Sequence, residues 1–89
     1  MIRRRYLFTG KVQHVGFRWR ALRAAETFGC TGWCRNSPDG SVIMEIQGSR
    51  LRIMLAVLAL RAGKRIRIEH TEVAPVPVDP EEQEFRPEY

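Results

Sequence analysis

Cysteine, histidine and long apolar runs are all scarce in this 89-residue chain, and each scarcity removes a class of function. The two cysteines, Cys30 and Cys34, stand in a C-x-x-x-C spacing. A redox pair calls for C-x-x-C, and a structural zinc site calls for four ligands. His14 and His70 would have to complete such a site from unlike contexts. No metal is therefore expected, and both cysteines read as small hydrophobes. So few cysteines also fit a reducing compartment. The longest apolar stretch, Ile53 to Leu60, falls far short of the roughly 20 residues that span a bilayer. Arg3-Arg4-Arg5 resembles the basic start of a secretory leader, but only Tyr6-Leu7-Phe8 follows before Thr9-Gly10. A cytoplasmic protein with no membrane partner is expected.

What is present describes an ordinary globular chain. Apolar residues are 44% and charged residues 28%, which excludes a disordered tail, a fibre and a disulfide scaffold. The length allows one domain, residues 1–89, and is too short for a dinucleotide-binding fold. The net charge of +5 is unevenly placed. Residues 1–70 carry 14 lysines and arginines against 4 carboxylates, whereas residues 71–89 carry 1 against 6. A basic body points to an anionic partner. The acidic end reads as a solvated tail that offsets it.

Periodicity predicts the elements. Residues 2–9 read as a strand through Tyr6, Leu7 and Phe8. Two glycines then mark a tight loop over Gly10 to Gly16. Ala21, Leu22, Ala25 and Phe28 give one apolar stripe on a helix over 17–28, closed by Gly29. Residues 31–36 and 41–47 form a hairpin across Ser37-Pro38-Asp39-Gly40, with Val42, Met44 and Ile46 on one face and Ile43, Glu45 and Gln47 on the other. Ser49 caps a second helix over 50–62. Its expected buried stripe is Leu51, Met54, Leu55, Leu58 and Ala62, widened by Ile53, Val57 and Leu60. Basic and apolar residues alternate over 65–73 as a half-buried strand, and Pro75, Pro77 and Pro80 then bar a central strand. A short edge strand over Glu84 to Tyr89, with Phe85 inward, completes the list. The order β-α-β-β-α-β predicts an α+β sandwich: an antiparallel sheet with both helices on one face and a short fifth edge strand.

Two segments carry chemistry. Gly10 to Arg18, GKVQHVGFR, joins a strand to a helix. Such a loop aims consecutive N–H groups at one point, and the helix start adds unpaired donors and a positive dipole end. Together they form an anion cradle over Gln13, His14, Val15, Gly16 and Phe17. Arg18, in the first turn, has a planar fork matched to two phosphate oxygens. An ordinary tight turn beside a surface arginine reads the same way. The Gly-Lys-Ser/Thr ending of a Walker A loop is missing. In Gly32-Trp33-Cys34-Arg35-Asn36, Asn36 ends a strand with an amide suited to orienting a water, or simply begins the turn.

GKVQHVGFR, followed by GWCRN and a DG turn, closely resembles the acylphosphatase family, whose loop reads G-x-V-Q-G-V-x-F-R and whose second motif reads G-W-V-x-N. The resemblance spans nearly the whole chain. It implies a ferredoxin-like fold and hydrolysis of small acyl phosphates to a carboxylate and inorganic phosphate. It also implies no cofactor, no metal and no covalent intermediate. The family's phosphate-binding arginine falls on Arg18 and its water-positioning asparagine on Asn36. His14 stands where the family has glycine, so strain is expected there if the backbone needs a positive φ; histidine is among the residues that tolerate it. Cys34 and Cys30 replace aliphatic residues, and Pro87 is unusual in a terminal strand. A monomer is expected. RNA-binding modules share this element order, but they present stacking aromatics on the middle strands, and residues 41–47 contain none. A nucleic-acid partner is therefore not expected. A non-catalytic anion-binding relative is disfavoured by the retention of both Arg18 and Asn36.

Overall fold

The computed structural model describes residues 1–88; Tyr89, the last residue of the expected edge strand, lies outside them. The elements run β1 (Ile2–Lys11), α1 (Phe17–Thr27), β2 (Thr31–Asn36), β3 (Val42–Gly48), α2 (Arg50–Arg61), β4 (Arg67–Val76) and β5 (Phe85–Glu88). The sheet order is β4-β1-β3-β2-β5. The expected order and edge strand are present, with one correction: β5 pairs parallel to β2, so the sheet is mixed rather than antiparallel. Pro87 sits opposite Cys34 in that edge pair, where its missing N–H is tolerated. β1 continues two residues past its expected end because β4 pairs with Gly10 and Lys11 across a bulge at Thr9/Gly10. This shortens the loop before α1 to residues 12–16.

The core lies between sheet and helices. Tyr6, Phe8, Val42, Met44 and Ile46 from the central strands meet Phe17, Ala21, Ala24 and Ala25 of α1 and Ile53, Ala56 and Leu60 of α2. Cys30 and Cys34 are buried among them as expected. Ser49 caps α2, its hydroxyl accepting from the Arg52 N–H at 3.2 Å. The face α2 buries differs from the expected one: Leu51, Met54 and Leu58 are 59%, 50% and 58% exposed. Apolar residues encircle this helix, so periodicity alone offers two stripes. Ile53, Ala56 and Leu60 fill the space above the sheet, and Leu51, Met54 and Leu58 face out.

The other face of the sheet holds a second correction. Glu45 and Gln47, on the face of β3 opposite Met44 and Ile46, are buried, as is Arg3. The chain between β4 and β5 crosses over them. Arg3 donates from Nε to Glu45 at 2.8 Å and from Nη1 to Gln47 at 3.2 Å. Its Nη1 and Nη2 also reach the two Glu82 oxygens at 2.8 and 3.1 Å. Arg5 donates to the other Glu45 oxygen. Gln47 is tied in turn to the backbone of Asp79, donating to its carbonyl at 2.9 Å and accepting from its N–H at 2.8 Å. The acidic end is therefore a strap locked to β1 and β3, not a solvated tail.

Candidate active site

The loop between β1 and α1 is pinned at both ends by buried apolar residues, Val12 and Phe17. The Phe17 ring packs on Phe8 with centroids 5.3 Å apart. In between, the backbone enters the left-handed region twice, at His14 (φ 60°) and at Gly16 (φ 76°), the N-cap of α1. The strain expected at His14 is therefore present. Two left-handed residues so close together turn the chain sharply into the helix. The helical ladder starts with the Arg20 N–H donating to the Gly16 carbonyl at 3.0 Å. The amides ahead of Arg20 in that first turn have no carbonyl a turn earlier to bond to, and the positive end of the helix dipole lies with them.

Gln13 holds this bend beside the hairpin. Its Nε2 donates to the Ser37 carbonyl at 2.7 Å and to the Ser41 carbonyl at 2.9 Å. The tether explains how two segments far apart in sequence converge. Arg18, Asn36, His14, Gly16 and Phe17 line one cavity of 160 Å³, together with Val12 and Trp19. Of the expected loop residues, Gln13 spends its side chain on the tether. Val15 packs against the core and lines the neighbouring basin instead.

Sequence reasoning missed two participants. Glu88, on β5, accepts from Arg18 Nη1 through its carbonyl at 2.8 Å, so the edge strand orients the guanidinium. Trp19, 61% exposed and stacked under Arg23, forms part of the cavity wall. Its place beside Arg18 in the first helical turn was the available signal. Beneath the site, burial pushes the Cys34 thiol up to about 12, only partly opposed by the Arg18 charge. It is a protonated wall residue at neutral pH, not a nucleophile.

The ensemble suits a tetrahedral anion. A guanidinium and the loop residues His14, Gly16 and Phe17 share the wall of one small cavity, and Asn36 adds an amide that can both donate to and accept from a water. The acylphosphatase family model matches residues 4–87. A curated acylphosphatase from Koribacter versatilis (strain Ellin345) is 44% identical over 71 residues, which span 79% of this chain and 64% of that protein, under two thirds of its length. Another, from Bifidobacterium longum (strain NCC 2705), is 38% identical over 88% of this chain and 81% of its own. The crystal structure of acylphosphatase from Bacillus subtilis superposes with a TM-score of 0.90 at 26% identity and covers all of both chains. The arrangement of two helices on a five-stranded sheet is the ferredoxin-like fold of these structures.

Proposed function

The chain belongs to the acylphosphatase family, and we propose that it hydrolyses the carboxyl–phosphate bond of small acyl phosphates by direct attack of a water held by Asn36 on a phosphoryl group held by Arg18 and the loop amides. The observation that carries this reading is the meeting of Arg18 and Asn36 in one cavity at the left-handed bend. A carboxylate leaves readily, so the reaction needs little acid catalysis. Positioning and charge stabilisation remain, and these dominate phosphoryl transfer. The amides of His14 to Arg18 and the Arg18 fork bind the non-bridging oxygens as charge shifts among them. Asn36 aligns the water opposite the bridging oxygen. The water oxygen bonds to phosphorus, the P–O bond to the acyl carbon's oxygen breaks, and the carboxylate departs with that electron pair. The water's protons end on inorganic phosphate and solvent.

One feature supports a route without a covalent thiol intermediate: burial holds the Cys34 thiol protonated. Two unpaired cysteines fit a cytoplasmic setting. Among the described residues, no helix is long and apolar enough to cross a membrane. The test is hydrolysis of benzoyl phosphate with a chelator present and an aryl phosphate monoester as control. The expected result is cleavage of the acyl phosphate alone. Equal cleavage of both would make the protein a general phosphatase, and chelator-sensitive cleavage would bring a metal into the step.

A further inference from the structure

The cavity assigned to the phosphoryl group measures 160 Å³ and opens onto the surface. A substrate whose phosphoryl group is seated there extends its acyl half over the adjoining surface. Directly beside it is an open basin of 410 Å³ that shares Gly16 and Trp19 with the phosphate cavity. Its remaining walls carry three cations, Arg20, Lys64 and Arg65, and no carboxylate among the described residues.

The basic wall is held in shape. Arg20 Nε donates to the Ala59 carbonyl at 3.0 Å, which fixes the guanidinium over the end of α2. Its stem lies against Gly63 so closely that a Cβ there would come within 2.8 Å of Arg20 Cδ. The same turn is closed by the Ile66 N–H donating to the Gly63 carbonyl at 3.2 Å, with Lys64 and Arg65 between them. The basin thus sets a cationic wall directly beside the phosphate cavity.

We propose that this basin is a subsite for a distal anionic group on the acyl half of the substrate, with Lys64 and Arg65 as its specificity-determining residues and Arg20 and Trp19 as its fixed wall. The subsite rests on the catalytic reading above and deepens it. The preferred substrates are acyl phosphates that carry a second anion beyond the carbonyl, and the simplest uncharged acyl phosphates are turned over with a higher KM.

The test compares 4-carboxybenzoyl phosphate with its uncharged isostere, 4-carbamoylbenzoyl phosphate, on the wild type and on the double variant Lys64→Gln, Arg65→Gln. Both residues are exposed, and neither touches the phosphate cavity. The variant is expected to lose about tenfold in kcat/KM on the carboxylate substrate, the effect of about 1.4 kcal/mol spread over two exposed ion pairs. The loss falls on KM, with kcat retained. On the carbamoyl substrate the change stays within about twofold, since no distal charge is there to pair. An equal fall on both substrates means a diffuse field acting on the phosphoryl group, and no change on either means an unused basin; each overturns the subsite. A wild type inactive on both would overturn the catalytic reading itself, a result the variant comparison cannot imitate.

Discussion

Arg3 and Arg18 both lie on the sheet's own elements or next to them, yet the two faces of the molecule use the same side chain for opposite ends. Arg3 is buried, and every arm of its fork meets Glu45, Gln47 or Glu82. Its charged form is reinforced, first by the hydrogen bond to Glu82. Arg18 is half-buried at the rim of a cavity, where the Glu88 carbonyl accepts from its Nη1. The contrast separates an arginine enclosed in the network that holds the strap to the sheet from one placed at the rim of an open cavity.

The sharpest way to break this contrast is Arg18→Lys. Charge is kept and the planar fork is lost, so kcat/KM on benzoyl phosphate is expected to fall about 10³-fold. Thermal stability should be nearly unchanged. Near wild-type turnover would mean that point charge suffices. The reciprocal change on the other face, Glu45→Gln, should spare turnover and cost stability. It leaves the buried Arg3 beside a neutral amide, an effect of about 3 kcal/mol, read by urea unfolding with kcat per folded molecule retained. This side of the molecule also sets the acid limit. Burial alone would raise the Glu45 pKa, but hydrogen bonds from Arg3 and Arg5 outweigh it and hold the carboxyl below its ordinary 4.5. Glu45 therefore contributes stability in full above about pH 4.5, lost as pH falls through its lower folded value. Melting temperature followed from pH 7 to pH 3 should decline less steeply in Glu45→Gln than in the wild type.

Asn36→Ala sharpens the comparison within the site. Losing one positioning amide is expected to cut kcat about 10²-fold while inhibition by inorganic phosphate shifts less than about threefold, near the scale of one weak contact. Equal losses in both would make Asn36 a phosphate ligand. The smallest effect is expected at His14. The left-handed backbone costs a histidine about 1–2 kcal/mol, partly offset by the looser unfolded chain that glycine brings. His14→Gly should therefore raise the melting temperature by roughly 2–4 °C and leave kcat unchanged. A collapse in turnover would give the imidazole a direct part in the chemistry.

The same contrast explains what the sequence disclosed. The site was legible because it is local: a glycine loop, a helix start and an arginine sit within Gly10 to Arg18, and the hairpin that places Asn36 announces itself through Pro38-Asp39-Gly40. The strapped face was not. Strict alternation puts Glu45 and Gln47 opposite Met44 and Ile46, and only the later crossing of Asp79 and Glu82 buries them. No local signal sets the direction of β5, which follows from where the strap leaves it. In α2, Leu51, Met54 and Leu58 outrank Ile53 and Ala56 in apolar bulk, and the choice between stripes is made by the shape of the sheet beneath. The Gln13 tether and the Glu88 contact, both side chain to backbone across the fold, carry no signature in a single sequence.

The most direct measurement is an amide and guanidinium NMR titration of the chain with inorganic phosphate in the presence of chelator. The account predicts saturable shifts confined to the amides of His14 to Arg18 and the Arg18 guanidinium, with those of Arg3 and Arg5 unmoved and the pattern preserved in Asn36→Ala. Shifts centred on the strapped face, or none at the bend, would contradict it.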